Sequence, residues 1–266
     1  MSPRVAVIVY PGSNSEAETG RALCAVGLNA HLVWWGDGRR ALAGFDAYVL
    51  PGGFAYEDRI RAGAVAAHDA STAVVIEAAE AGKFVIGICN GAQILLETGL
   101  VPGTGPPMRP TAAFAPNANR RFRSVLTHVK LAIDPARSPL TAALAPAAVF
   151  PAWAAHGDGR LAASSEELAR IRDDGHLAFV YCERDGTVDE RATPNGSALG
   201  CAGLLNRAGN VLAIMPHPER IAWGFQQRDP ASIAAARADR TVALAPAGGI
   251  RFFRSLAQAL GVRSAA

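Results

Sequence analysis

Between Arg4 and Glu97 the chain alternates short, dense apolar runs with longer mixed stretches. The runs Arg4–Tyr10, Ala30–Trp34, Ala47–Leu50 and Phe84–Ile88 are rich in β-branched and aromatic residues and read as strands. Ser15–Val26 reads as a helix, with Ser15 and Glu18 spaced as a capping box. Asp58–Gly82 holds one or two further helices, and Ala92–Glu97 reads as helical. This alternation predicts an α/β fold: a mostly parallel sheet with helices on both faces. Ligands of such sheets bind at the carboxyl ends of the strands. The later runs Val125–Ile133, Leu177–Cys182, Gly200–Leu205 and Val211–Met215 predict a small added β layer that returns to the sheet. No internal repeat is visible.

One strand end carries candidate chemistry. The apolar run Phe84–Ile88 stops at Gly87-Ile88-Cys89-Asn90-Gly91 and passes into helix. Strand, sharp turn with a nucleophile, then helix is the layout of a nucleophile elbow. Side chains at Gly87 or Gly91 would obstruct the close backbone approach such a turn needs. A thiol at a helix start lies where the macrodipole and free N–H groups favour thiolate. Cys89 is therefore expected in a strained conformation with positive φ. Most lone cysteines are small buried hydrophobes, which is the reading for Cys24, Cys182 and Cys201.

A cysteine nucleophile needs a base brought to it by the fold. The apolar run Val211–Met215 leads into Pro216-His217-Pro218-Glu219-Arg220, where two prolines stiffen the chain around His217. Glu219 can turn back to the same imidazole, fix its tautomer and stabilise its cation. The other five histidines lack such framing. The run Ala47–Leu50 ends at Pro51-Gly52-Gly53-Phe54. This is either an ordinary turn or half of an oxyanion hole, formed by the N–H groups of Gly53 and Asn90.

Composition narrows the classes. The 266 residues fit one domain, and half are hydrophobic, enough for a large core. No apolar run is long enough to span a bilayer. Met1-Ser2-Pro3-Arg4 leads into a strand without a signal peptide's apolar stretch, so a cytoplasmic location is expected. Four scattered cysteines give neither zinc-site spacing nor a disulfide framework, so no metal is expected. A net charge of +3 without a basic, aromatic-laced stripe argues against nucleic acid. There is no phosphate-loop motif.

Together these motifs resemble the class I (triad) glutamine amidotransferases. They are most similar to the PurQ-type glutaminase subunits of phosphoribosylformylglycinamidine synthase. The resemblance rests on Gly87-Ile88-Cys89-Asn90-Gly91-Ala92-Gln93, Pro51-Gly52-Gly53-Phe54-Ala55-Tyr56-Glu57-Asp58 with Arg61-Ala62-Gly63-Ala64, His156-Gly157-Asp158-Gly159-Arg160, Pro194-Asn195-Gly196-Ser197 and Met215–Arg220. It covers about Val5 to Trp223 and resumes near Gly248–Phe253. The chain departs from the pattern in two places: Glu57 stands where glycine is usual, and Ala92 where an aromatic residue is common. The stretch Arg109–Pro151 matches loosely, apart from Asn117 and Phe122. Gly224–Ala247 reads as an insertion in a single domain spanning 1–266.

The resemblance implies a flavodoxin-like amidotransferase fold and hydrolysis of L-glutamine by Cys89, His217 and Glu219. It adds Phe54, Gln93, His156, Asp158 and Arg160 as residues that help hold the glutamine. It implies no cofactor in this chain; ATP and magnesium belong to a synthetase (PurL type) partner that receives the ammonia, and a small accessory (PurS type) subunit completes the complex. Such a chain would be a weak glutaminase until the synthetase docks. Three other readings compete. A glutaminase for another synthetase would share the triad, but the Asn90 elbow and Pro194–Ser197 favour purine synthesis. A cysteine hydrolase or chaperone of the DJ-1/PfpI type is opposed by the His217–Glu219 motif. A regulatory module that has lost activity is opposed by the presence of Cys89, His217 and Glu219.

Overall fold

A computed structural model of the chain describes residues 2–106 and 108–262. Met1 and residues 263–266, the ends of the expected domain, lie outside them. Strands β1 (Arg4–Val9), β2 (Asn29–Trp34), β3 (Ala47–Leu50) and β4 (Phe84–Ile88) form where the apolar runs predict them. Beyond them come β5 (Ala112–Pro116), β6 (Arg123–Leu131), β7 (Val149–His156), β8 (Asp158–Ala163), β9 (Leu177–Cys182), β10 (Cys201–Leu205) and β11 (Val211–Ile214).

Nine of these strands make one sheet in the order β2-β1-β3-β4-β11-β10-β9-β6-β7. Pairing is parallel from β2 through to β11 and antiparallel from β11 to β7. Helices cover both faces. The late runs thus extend the main sheet rather than forming a layer of their own. Their apolar composition suits either arrangement, and β11 slots in parallel beside β4, which carries β10, β9, β6 and β7 onto the same edge. The separate β unit is the small antiparallel pair β5–β8.

Burial follows the sequence pattern. Val5 to Val9 are each at most 2% exposed, and β3 and β11 are buried throughout. Each such aliphatic side chain contributes about 1.5–3 kcal/mol. The helix Ile250–Ala259 seats Phe252 against Phe150 and Phe179, with ring centroids 6.2 Å from each. The segment expected as an insertion forms two helices, Pro230–Ala238 and Arg240–Leu244, packed on each other. No helix among the described residues is long and apolar enough to cross a membrane.

Two local expectations fail. Ser15 makes no capping bond; its hydroxyl and the Glu18 carboxylate turn to Arg220 instead, at 2.8 and 3.6 Å. A guanidinium outcompetes a neutral backbone N–H for these oxygens, and the exchange ties the helix Glu16–Ala25 to the His217 loop. Cys24 is exposed rather than buried, because it falls on the solvent side of that helix; Cys182 and Cys201 are buried as expected.

The register sets the site. Leu50 pairs with Gly87, and Ile88 with Ile214. Three parallel strands therefore end side by side, and the residues just beyond their ends (Gly52-Gly53, Cys89, His217) share one edge.

Candidate active site

Cys89 joins β4 to the helix Asn90–Glu97 with φ 52° and ψ −107°. A β-carbon built on Gly91 would lie 1.9 Å from the Leu50 carbonyl oxygen, and one on Gly87 2.5 Å from that of Gly91. Only glycine fits, as expected of the elbow. The left-handed cysteine costs about 1–3 kcal/mol, which the surrounding packing must hold in place. The Cys89 N–H donates to the Ile214 carbonyl at 2.8 Å, pinning the turn to β11, and Sγ faces the Ala155 carbonyl at 3.7 Å.

His217 is 1% exposed and Glu219 fully buried. The His217 backbone exchanges two hydrogen bonds with Trp153 on β7, at 2.8 and 2.9 Å. Its ring is hydrogen-bonded to Glu219, with Nδ1 2.5 Å from Glu219 Oε1, and Cys89 is close enough to act on its charge. A carboxylate can only accept, so Nδ1 carries the proton. Burial works against a charged ring. The Glu219 carboxylate, together with Cys89, outweighs it and holds the His217 pKa up at about 9.

Gly52 lies against the same ring: a β-carbon there would meet His217 Cε1 at 2.4 Å. The Gly52 carbonyl accepts from the Asn14 and Ser15 N–H groups at 3.1 and 3.2 Å. In a trans peptide the Gly53 N–H therefore points the opposite way, and it has no protein acceptor among the described residues. Turning this peptide over is sterically cheap for glycine but breaks two hydrogen bonds. Asn90 contributes more than its backbone. Its side-chain Oδ1 accepts from the Ala55 N–H at 2.9 Å, while Nδ2 donates to Gln93 Oε1 and Asp58 Oδ1 at 2.9 and 3.2 Å. It fastens the loop after β3 to the elbow.

The residues carried over by resemblance divide by position. Gln93 is buried, and its Nε2 donates to the Asp158 carbonyl at 2.5 Å, so its amide braces the elbow against the start of β8. Phe54 is 44% exposed beside Phe122, with centroids 6.5 Å apart. His156 is buried, with Nδ1 3.2 Å from Asn117 Oδ1 and no partner for Nε2. Burial and the charge of His217 pull its pKa down to about 4, so it stays neutral. The Arg160 Nε donates to the Pro116 carbonyl at 2.9 Å. The Asn195 and Ser197 side chains bond the backbone of Gly159 and Leu161, at 2.7 and 2.9 Å. The Pro194–Ser197 motif therefore shores up the strand beyond His156.

Asp58 is the addition that sequence reasoning missed. Burial, then the charge of Asp158, raises its pKa to about 6, and burial raises that of Asp158. The Asp158 charge thus reaches Asp58 beside the elbow, and among the described residues neither carboxylate has an ion-pair partner. Asp58 stood inside a matched motif, but nothing in the sequence placed it next to Asp158.

The loop holding Asp58 is strained. Tyr56, Glu57 and Asp58 all have positive φ, at 54°, 59° and 52°. Left-handed backbone costs a non-glycine residue roughly 1–2 kcal/mol, which gives the usual glycine at position 57 a physical meaning. Glu57→Gly should raise stability by up to about 1 kcal/mol, since the greater unfolded-state freedom of glycine offsets part of the relief. The exposed Glu57–Arg59 ion pair it removes is worth little. A denaturation midpoint below that of the parent would contradict this strain in the loop.

Among the described residues, no three His, Cys, Asp or Glu side chains are grouped to hold a metal ion.

Similarity to known proteins agrees with this geometry. Residues 2–254 match the CobB/CobQ-like glutamine amidotransferase domain. The phosphoribosylformylglycinamidine synthase subunit PurQ of Moorella thermoacetica is 42% identical over 220 residues, 82% of this chain and 88% of that relative. The same subunit of Aquifex aeolicus is 40% identical over 218 residues, 82% of this chain and 90% of its own. A chain in the structure of PurLQS from Thermotoga maritima superposes with a TM-score of 0.73 at 29% identity, covering 97% of this chain and 99% of that one. The acivicin-bound glutaminase domain of Trypanosoma brucei CTPS, at 14% identity and TM-score 0.58, shares the fold.

Proposed function

The chain belongs to the CobB/CobQ-like glutamine amidotransferases, and from that premise we infer that it is the glutaminase subunit of a phosphoribosylformylglycinamidine synthase. Its partner is the synthetase subunit. The observation that carries the chemistry is the buried run Cys89–His217–Glu219 at the ends of the adjoining strands β4 and β11. The substrate is L-glutamine, and a small accessory subunit joins the complex. We take 1–266 as one amidotransferase domain, with 224–247 as an elaboration.

The geometry dictates the steps. His217 holds the proton and Cys89 Sγ attacks the carboxamide carbon of glutamine. The tetrahedral oxyanion is met by the N–H groups of Gly53 and Asn90, donors of a kind that contribute about 3 kcal/mol to such transition states. His217 gives its proton to the departing nitrogen, the C–N bond breaks, and ammonia leaves a glutamyl thioester. His217 then takes a proton from water, whose oxygen attacks the thioester. Glutamate leaves and the proton returns the site to its first state. Glu219 keeps the ring oriented and its cation stable throughout. This chain binds no cofactor of its own; ATP and magnesium are used on the synthetase.

Asp58 and Asp158 supply acceptors for the α-ammonium of glutamine, with Phe54 at the rim. A bound ammonium offsets the burial and the Asp158 charge that together raise the Asp58 pKa. Asp58→Asn should raise KM for glutamine about tenfold and leave kcat within a factor of three, as removing roughly 1.4 kcal/mol of uniform binding does. In the parent, KM should climb as pH falls through about 6, because protonation removes the charge the ammonium meets. A pH-independent KM, or an Asp58→Asn loss confined to kcat, would rule out this role.

The decisive experiment for the function is glutamate release by the purified chain, alone and titrated with the synthetase and accessory subunits. Docking that completes the oxyanion hole should raise turnover about a hundredfold. Full activity in the isolated chain, unmoved by any partner, would return the free-standing hydrolase reading.

A further inference from the structure

At the end of the sheet opposite Cys89, a cavity of 580 Å³ is lined by Thr104, Arg137, Arg170, Asp174, His176 and Arg207. Its lining holds three arginines and one carboxylate, Asp174. Arg170 is met by Glu166 and Glu167. Among the described residues, no carboxylate lies within ion-pair distance of Arg137 or Arg207. The two are nonetheless held together: Arg137 Nη2 donates to the Arg207 carbonyl at 2.9 Å.

The backbone under both arginines is stiff. Arg137 ends a 3-10 turn, Pro135–Arg137, capped by Asp134. Arg207 stands in the turn between β10 and β11. There Asn206 Oδ1 accepts from the N–H groups of Gly209, Asn210 and Val211 at 2.9, 3.1 and 3.0 Å. Ser138 Oγ donates to the Gly209 carbonyl at 2.5 Å and joins the two segments. On the inner wall His176 is 2% exposed and fixed by the Leu205 carbonyl, 3.1 Å from Nδ1. Burial, with the charge of Arg137 adding to it, lowers the pKa of that ring. The cavity therefore presents two guanidinium groups without an ion-pair partner on prearranged backbone, with Asp174 the one carboxylate in its lining.

We propose that this cavity is a second binding site, remote from Cys89, for the phosphate or pyrophosphate group of a small metabolite held by Arg137 and Arg207. Planar guanidinium forks suit the tetrahedral, multiply charged phosphate group. A dianion matches two free cations, whereas a single carboxylate answers one. The cavity is concave and within the 300–1,000 Å³ typical of small-ligand sites, unlike a flat protein-docking face. Glutamine hydrolysis does not use it.

The test is calorimetric titration of the full chain with inorganic phosphate and, separately, with pyrophosphate, at matched ionic strength. The proposal expects saturable 1:1 binding of at least one of them. Arg207→Ala, which removes an exposed side chain, should weaken that binding at least tenfold, and Arg137→Ala similarly. Arg39→Ala, whose side chain pairs with Glu77 elsewhere, should leave it unchanged. Chemical shifts of the His176 ring should move during the parent's titration, and glutamine hydrolysis should be the same in the parent and Arg207→Ala. Absence of saturable binding for both anions, or affinity unaltered by Arg207→Ala, overturns the proposal.

Discussion

Cys89→Ala should lower glutamine hydrolysis by about four orders of magnitude or more, to the level left by binding and the oxyanion donors, while the chain stays folded. Alanine keeps the β-carbon and loses only Sγ, whose backbone contact is the Ala155 carbonyl at 3.7 Å. The left-handed backbone at position 89 is no easier for alanine than for cysteine, so the elbow is not relaxed by the change. Cys24→Ala, Cys182→Ala and Cys201→Ala should each retain activity within a few-fold. Cys24 is on the surface, and burial raises the Cys182 thiol to about 11 and the Cys201 thiol further still, which keeps both protonated and inert. Activity above a few per cent in Cys89→Ala would end the nucleophile assignment.

His217→Ala should cost nearly as much, and the double variant Cys89→Ala/His217→Ala should be little worse than either alone, because residues that act as one unit are strongly non-additive. Multiplying losses would mean that the two work separately. The pH profile gives a finer reading. The His217 pKa is raised to about 9, so the ring keeps its proton through neutral pH. Activity should hold across that range and fall as pH climbs past about 9, where the proton donor for the leaving nitrogen is lost. The linked stability has the same sign. His217 gains its partner's charge only on folding, so its contribution is complete below the unfolded pKa of about 6.5 and disappears as pH rises through about 9. Glu219→Gln removes the main charge that overrides burial; the alkaline limb should then move to lower pH. A limb that stays in place would show that Glu219 does not set the state of the ring.

The elbow and the His-Pro-Glu loop were legible because their constraints are local. Glycines flanking Cys89 and prolines flanking His217 state the backbone geometry within a few residues, and the dense apolar runs state the strands. What escaped depends on distant chain segments. Asp58 feels the charge of Asp158 only because the loop after β3 and the start of β8 converge on the elbow. The capping role expected of Ser15 was lost to Arg220, more than 200 residues away in sequence. Antiparallel extension of one sheet and a separate β layer give the same apolar pattern, so the order of β10, β9, β6 and β7 could not be read from it. The hydrogen bond from the Gln93 amide to the Asp158 carbonyl likewise joins segments far apart in sequence.

The central claim is a covalent glutamyl intermediate on one cysteine, and trapping it tests the claim most directly. The chain, assembled with its synthetase and accessory subunits, is turned over with L-glutamine, quenched in acid, digested and mapped by mass spectrometry. A glutamyl group is expected on the peptide carrying Cys89, and none in Cys89→Ala. A glutamyl group on Cys24, Cys182, Cys201 or any other residue would contradict the claim.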